Sequence, residues 1–190
     1  MGRAERTALL ALDVQNGIFA RDESLVHDAA GVLERIDALI RTASAASQGI
    51  VIVQDNAGPG LWEPETPEWE LHARLTRPPE AVYLRKMFGD AFRGTDLDDR
   101  LRGLGIEHLV VVGAMTDFSV RSTLLRALLK GYSVTLVSDA HSTLDAPDGK
   151  AREQVDLLNT EVRAAEDHGL PVRALRAAEV AGMFSRAGRA

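Results

Sequence analysis

Short apolar segments alternate along the chain with longer amphipathic ones, and this alternation restricts the fold more than any other feature. Several of the short segments are apolar at nearly every position, which is typical of strands buried on both faces of a parallel sheet. The longer segments keep their apolar residues on one face of a helix. Strands are predicted at residues 7–14, 49–54, 82–85, 108–113, 133–138 and 172–175. Helices are predicted at residues 26–47, 96–104, 120–130 and 150–168.

The order of these elements predicts one α/β domain that spans residues 1–190. Strands that alternate with helices form a parallel sheet with right-handed crossovers, and helices then cover both of its faces. We therefore expect a three-layer α/β/α fold with a six-stranded, mainly parallel, Rossmann-like sheet. A composition of 45% hydrophobic and 26% charged residues is typical of a globular domain with such a core.

One segment, residues 56–80, does not follow the alternation. It holds five of the seven prolines and both tryptophans, Trp62 and Trp69. Long irregular segments inside compact domains commonly form lids, pocket walls or contacts between subunits. We weigh that interpretation equally against one in which the two tryptophans are packing anchors.

The absence of cysteine excludes several kinds of site. With no thiol in 190 residues, the chain has no disulfide framework, thiolate zinc site, iron–sulfur cluster or thiol nucleophile. The net charge of −6 at pH 7 argues against a nucleic-acid surface, which needs clustered basic residues. No apolar stretch reaches the length of a membrane span, and no signal peptide is evident. We therefore expect a cytoplasmic protein with a small-molecule partner, and neither a nucleic-acid nor a membrane partner.

Three candidate site residues lie at the carboxyl ends of predicted strands, the edge at which parallel sheets bind ligands. Asp13 is a charge near the end of the first apolar strand, and such a carboxylate requires a partner or a catalytic task. Lys86 follows the third strand, where a solvated lysine is the alternative to an ion pair with Asp13. Ser119 lies in a turn that leads into a helix, where free N–H groups can bind an oxyanion. Its alternative role is that of an N-terminal helix cap.

These segments resemble the sequence signatures of the isochorismatase-like cysteine hydrolase superfamily, which includes nicotinamidases, N-carbamoylsarcosine amidase and isochorismatases. The motifs that carry the resemblance are Asp13-Val14-Gln15-Asn16, Lys86 with Ala91-Phe92, residues 113–120, and Ser138-Asp139-Ala140. They occur in the family's order, and the likeness extends over residues 7–165. The resemblance implies a homodimer or homotetramer, with the proline-rich segment 56–80 near an interface.

In that family, the residue at the position of Ser119 is a cysteine nucleophile. The resemblance implies that Asp13 accepts its proton and that Lys86 favours the anionic forms of both groups. It also implies a cis peptide bond between Ala114 and Met115, and an oxyanion site formed by the backbone N–H groups of Met115 and Ser119. The implied reaction is hydrolysis of a carbon–nitrogen bond in a small amide through an acyl-enzyme. The aromatic residues expected to line a pocket for a flat or small apolar amide are Phe19, Trp62, Trp69, Phe88 and Phe118.

No metal ion and no cofactor is expected. Asp55 is followed by Asn56-Ala57, whereas nicotinamidases carry histidine ligands here, so Asp55 is predicted to be a turn or pocket residue. His141 is interpreted as a loop or supporting residue and not as a ligand. The sequence Gly103-Leu104-Gly105 lacks the third glycine of a dinucleotide-binding turn and lies between a helix and a strand, which is the wrong order.

Serine at position 119 leaves three interpretations open. Forming an alkoxide costs roughly 7 kcal/mol more than forming a thiolate, because the pKa of an alcohol is about five units higher. In the first interpretation, Ser119 replaces a native cysteine and traps a substrate or acyl complex. In the second, the chain is an isochorismatase-type enol-ether hydrolase in which Asp13 is the general acid. In the third, it is a catalytically silent small-molecule-binding protein that keeps the pocket.

Overall fold

The computed structural model describes residues 6–20, 26–58, 63–145 and 150–188. The strands are β1 (Thr7–Leu12), β2 (Gly49–Asp55), β3 (Val82–Lys86), β4 (His108–Ala114), β5 (Ser133–Ser142) and β6 (Val172–Leu175). The helices are α1 (Asn16–Phe19), α2 (Ala29–Ala45), α3 (Leu97–Gly103), α4 (Arg121–Leu129), α5 (Ala151–Asp167) and α6 (Ala177–Ala187). One π-helical turn, Thr116–Val120, leads directly into α4. Within the described ranges, no helix is both long and apolar enough to cross a membrane.

The strands form one sheet in the order β3-β2-β1-β4-β5-β6, and every neighbouring pair is parallel. The predicted six-stranded α/β fold is therefore confirmed. One apolar cluster packs under α2 and α6, and a second packs under α3, α4 and α5. Because both faces are covered, the middle strands are apolar at successive positions. Leu9 belongs to the first cluster, and its neighbour Leu10 belongs to the second.

Two strands end two or more residues away from the predicted position. Strand β1 ends at Leu12 because Asp13 takes a left-handed backbone conformation, with φ 51°, which turns the chain out of the sheet. Strand β5 continues to Ser142 through an irregularity in its pairing with β4. Neither departure changes the period of apolar residues, so the sequence pattern does not show them.

The C-terminal helix α6 is absent from the prediction. Its apolar face is carried by Val180 and Phe184, which are fully buried in the cluster under α2. The chain reaches this position because the backbone N–H of Ala177 donates to Asp139 Oδ1 at 2.8 Å, just after β6. Because that contact joins residues distant in sequence, the local sequence pattern does not predict α6.

Residues 67–72 of the proline-rich segment lie against the loop that follows β1. The backbone N–H of Asn16 donates to the carbonyl of Glu70 at 2.9 Å, and the N–H of His72 donates to that of Val14 at the same distance. The side chain of Asn16 also donates to the Pro67 carbonyl at 2.8 Å. Residues 67–72 therefore form a wall beside the carboxyl end of β1. Trp62 lies outside the described residues.

Gly113 is predicted to be indispensable to the fold. Its φ is +118°, and a Cβ atom here would lie 2.0 Å from the carbonyl oxygen of Leu12. Gly131 provides a control, because its φ is +88° but a Cβ atom would meet nothing within 4 Å. We expect Gly113→Ala to lower the free energy of unfolding by more than about 4 kcal/mol, and Gly131→Ala by about 1–2 kcal/mol. Urea unfolding measures both, and equal losses would contradict the expectation.

Candidate active site

The centre of the site is the ammonium group of Lys86, whose side chain is 0% exposed. Its Nζ lies 2.8 Å from Asp13 Oδ2 and 2.5 Å from Asp55 Oδ2. It also donates to Ser119 Oγ at 3.1 Å. A lysine ammonium has three protons, and here each of them faces an oxygen. The buried charge is therefore satisfied by hydrogen bonds, a condition that makes its burial tolerable.

Four neighbouring strands bring these groups to one edge of the sheet. Asp13 follows β1, Asp55 ends β2, Lys86 ends β3, and Ser119 lies in the π-helical turn after β4. Because all four strands are parallel, their carboxyl ends meet at the same edge. The structure thus brings together Asp13, Lys86 and Ser119, the three residues proposed from the sequence. The alternative interpretation of Lys86 as a solvated lysine is wrong, because its side chain is buried.

The carboxyl group of Asp13 has a pKa well above that of an ordinary aspartate. Burial raises the pKa of Asp13 to about 6, and the nearby charge of Asp55 acts in the same direction. Lys86 and the hydroxyl of Ser119 oppose that rise. Asp13 Oδ1 is buried and has no hydrogen-bond partner within the described residues. One oxygen of the carboxyl group therefore binds the lysine, and the other is available to exchange a proton.

Asp55 is a site residue that the sequence analysis assigned to a turn or pocket. It is 3% exposed, and its Oδ1 accepts a hydrogen bond from the Ala57 N–H at 2.9 Å. This bond fixes the carboxylate while its second oxygen binds Lys86. Asp55 has the same sequence signal that indicates Asp13, which is a charged residue where an apolar strand ends. The prediction of a turn or pocket residue does not include the ion pair with Lys86.

Gln15 ties the site to the wall formed by residues 67–72. Its side chain is 0% exposed, and its Oε1 accepts from the Asp55 N–H at 2.8 Å. Its Nε2 donates to the carbonyl of Asp55 at 3.1 Å and to that of Trp69 at 2.7 Å. One amide thus links the loop after β1 to the end of β2 and to the wall. The motif that contains Gln15 carries the family resemblance, but the spacing of the motif residues does not predict the role of Gln15.

The turn that holds Ser119 begins at a cis peptide bond between Ala114 and Met115. The N–H groups of Phe118 and Val120 donate to the Met115 carbonyl at 3.1 Å and 3.0 Å. Met115 is the residue that caps the helical turn, so the alternative role of Ser119 as that cap is wrong. Ser119 is 2% exposed, and its Oγ faces Lys86.

The aromatic candidates lie in different environments. Phe19 is 5% exposed and belongs to the core cluster under α2. Phe88 and Phe118 are 42% and 53% exposed, and the Phe118 ring packs over Gly89 beside Phe88. Trp69 lies under the guanidinium of Arg85, which is 4.8 Å from the ring centroid. The indole N–H of Trp69 is buried without a hydrogen-bond partner in the described part of the chain.

The described residues hold no group of three or more His, Cys, Asp or Glu side chains arranged to bind a metal ion. The two carboxylates of the site face the Lys86 ammonium instead.

Comparison with known proteins decides the family. The isochorismatase domain model matches residues 7–167, which is most of the chain. The chain belongs to the isochorismatase family. An isochorismatase-family structure from Burkholderia thailandensis superposes with a TM-score of 0.77 and 28% identity, covering 95% of this chain and 96% of that one. The α/β sheet described above is thus shared with the family.

Several relatives carry names that state an activity. A streptothricin hydrolase from Streptomyces noursei is 38% identical over 141 residues, which cover 74% of this chain and 56% of that protein. The ureidoacrylate amidohydrolase RutB of Caulobacter vibrioides is 26% identical over 170 residues, which cover 70% of this chain and 76% of that protein. The chain spans only about half the length of the streptothricin hydrolases that it matches, at 56% and 51%.

The charge of Asp55 is expected to keep the pKa of Asp13 high. Asp55→Asn removes a negative charge that raises this pKa, and it leaves the Lys86 ammonium to Asp13 alone. We therefore expect the titration midpoint of the Asp13 carboxyl, followed by carbon-13 NMR, to fall below its value of about 6. Asp37→Asn is the matched control, because Asp37 is also buried but pairs with Arg41 in α2. A midpoint that stays in place in Asp55→Asn, or falls equally in Asp37→Asn, would contradict this assignment.

Proposed function

We propose that this chain hydrolyses the carbon–nitrogen bond of a small amide through an acyl-enzyme on Ser119. One observation carries the proposal: the Lys86 ammonium lies 3.1 Å from Ser119 Oγ and 2.8 Å from Asp13 Oδ2. A nucleophile, a proton acceptor and a fixed cation in this arrangement are what acyl transfer requires. The name of the ureidoacrylate amidohydrolase supports hydrolysis of an amide, and the name of the streptothricin hydrolase supports hydrolysis in general.

In the proposed first step, Asp13 accepts the proton of the Ser119 hydroxyl as Oγ attacks the amide carbon. The carbonyl electron pair moves onto oxygen, and the backbone N–H groups of Met115 and Ser119 are proposed to hold that oxyanion. The tetrahedral intermediate then collapses, the C–N bond breaks, and Asp13 returns the proton to the leaving nitrogen. Ammonia or an amine departs and leaves an ester on Ser119.

In the second step, water attacks this ester. Asp13 takes a proton from the water, the acyl C–O bond to Ser119 breaks, and Asp13 delivers the proton to Oγ. Asp13 must be ionised to begin each step. The proposed rate therefore rises with pH through the Asp13 pKa of about 6. Lys86 favours this ionised form through its charge, which lowers the pKa that burial raises.

The serine makes the proposed reaction slow. The difference of roughly 7 kcal/mol between alkoxide and thiolate formation corresponds to about five orders of magnitude in rate if it is fully expressed in the transition state. A single ammonium that is shared with two carboxylates offsets only part of that difference. We therefore propose that the pocket is built for a thiol and that Ser119 limits turnover.

Hydrolysis of an enol ether is a second candidate function, favoured by the state of Asp13. Its pKa of about 6 means that a large fraction of Asp13 holds a proton under mildly acidic conditions. Asp13 Oδ1 has no hydrogen-bond partner in the described ranges, so a protonated Asp13 could protonate the substrate carbon and water could attack the resulting cation. This reaction requires no nucleophile at position 119.

The exposed rings of Phe88 and Phe118 are proposed to contact a flat or small apolar amide at the mouth of the site. Leu125 and Leu129 continue the exposed apolar surface along α4, at 52% and 80% exposure. A surface of this kind supports the proposal of a homodimer or homotetramer. No nucleic-acid or membrane partner is proposed, and a cytoplasmic location remains a prediction.

Restoring a thiol tests the main proposal. We expect Ser119→Cys to release ammonia from a panel of small amides at least about 100-fold faster than the parent chain, because a thiolate forms more readily beside Lys86. Ser122→Cys is the matched control, since Ser122 lies one residue into α4 past its start and its hydroxyl donates to the Phe118 carbonyl instead. In each variant, the introduced cysteine is the only thiol in the chain.

Equal rates in the parent chain, Ser119→Cys and Ser122→Cys would count against the amidase. Activity on an enol ether that persists in Ser119→Ala and disappears in Asp13→Ala would favour the second candidate function. Tight binding of small ligands without turnover in every variant would favour a binding protein.

A further inference from the structure

We infer that His141 is a positioning residue that holds the Ser119 turn in place through Thr116; this inference rests on the proposed function. His141 Nδ1 lies 2.8 Å from Thr116 Oγ1, and His141 Nε2 lies 3.2 Å from Asn159 Oδ1. All three side chains are buried, and Thr116 is the first residue of the turn. The network therefore joins the turn to β5 and to α5.

The direction of each hydrogen bond follows from Asn159. Its Nδ2 donates to the Ser138 carbonyl at 2.9 Å, so its Oδ1 is the atom that faces His141. Oδ1 can only accept, which places a proton on His141 Nε2. Burial lowers the pKa of His141 to about 4, so the ring is neutral and Nδ1 carries a lone pair. The Thr116 hydroxyl consequently donates to Nδ1, and its rotamer is fixed.

The irregularity in β5 is what brings His141 to the turn. Val111 of β4 pairs with Leu136, but Gly113, two residues later, pairs with His141 rather than with residue 138. Strand β5 thus carries three extra residues at this point, a bulge that ends regular pairing and re-aims the following side chains. After it, Ser142 lies opposite Ala114, the residue before the cis peptide bond. Regular pairing would instead place His141 opposite residue 116, which lies past the end of β4.

The position of Ser119 depends on this anchor. Thr116 precedes Ser119 by three residues in the same helical turn, so a shift at Thr116 moves Ser119 Oγ relative to Lys86. A second bond, from Thr143 Oγ1 to Asp117 Oδ1 at 2.6 Å, ties the same turn to the chain that follows β5. His141 touches no reacting atom in this scheme. It acts by keeping the 3.1 Å contact between Lys86 and Ser119.

A single introduced thiol can report on this contact without any substrate. In Ser119→Cys, the pH dependence of alkylation by iodoacetamide gives the pKa of the thiol beside Lys86. An unperturbed thiol titrates near about 8.5, and a cation in contact lowers that value. A turn that has shifted from Lys86 would raise the midpoint again, whereas a loss of stability alone would not. Urea unfolding of each variant measures stability separately.

Four variants in the Ser119→Cys background isolate the bond between Thr116 and His141. Thr116→Val removes the donor, and His141→Gln keeps a donor near the Nε2 position but no acceptor at that of Nδ1. Thr116→Ser keeps the hydroxyl, and His141→Asn keeps an acceptor near the position of Nδ1. We expect the first two to raise the alkylation midpoint by at least half a pH unit, which is about threefold in thiolate fraction at a pH below both midpoints. The conservative pair is expected to restore the parental midpoint.

His108→Gln is the matched control. His108 is also a buried histidine whose two ring nitrogens contact hydroxyls, those of Ser133 and Thr135, but it begins β4 at the opposite edge of the sheet. We expect its replacement to lower stability and leave the midpoint unchanged. The inference would be overturned by unchanged midpoints in Thr116→Val and His141→Gln, or by an equal shift in His108→Gln. The midpoint of Ser119→Cys itself reports on the proposed function, and differences between variants report on His141, so the two failures are distinguishable.

Discussion

The buried ammonium of Lys86 is the interaction on which the geometry of this site depends. An ammonium enclosed by protein is tolerable only when every proton has an acceptor, and here the acceptors come from the ends of three other chain segments. Each of those segments is thereby held at a hydrogen-bond distance from one atom. Burial of the Asp13 carboxyl group, which raises its pKa to about 6 despite the neighbouring lysine, explains why a proton is readily returned to Asp13.

The sequence predicts most of the sheet and part of the site, for the same physical reason. Strands buried on both faces are apolar throughout, so they stand out, and a charge at the end of such a strand marks Asp13 and Lys86. Asp55 obeys the same rule, but the absence of histidine ligands beside it predicts only a turn or pocket residue. The helix α6 and the bulge in β5 depend on contacts between distant residues. These are the hydrogen bond from the Ala177 N–H to Asp139 and the pairing of Gly113 with His141. No local pattern encodes those contacts.

Serine at position 119 is embedded in surroundings that polarise a nucleophile. The hydroxyl receives a hydrogen bond from a cation, lies beside a carboxyl group of raised pKa, and starts from a turn anchored on two sides. The cation, the carboxyl group and the anchors of the turn belong to other residues, so a thiol at position 119 would have the same neighbours. In the proposed reaction, the identity of the atom at this position then sets the rate.

The hydrogen bonds of Gln15 define a buried part of the site that tolerates few substitutions, in contrast to an exposed part that tolerates more. Its amide joins the two carboxylate-bearing loops and the Trp69 carbonyl in one buried frame, where a single replacement would leave several polar groups unpaired. Phe88 and Phe118 lie outside that frame and are largely exposed, so replacing them costs little stability. If Phe88 and Phe118 contact the ligand as proposed, a change of ligand requires substitutions only at these exposed positions, and the charged centre stays the same.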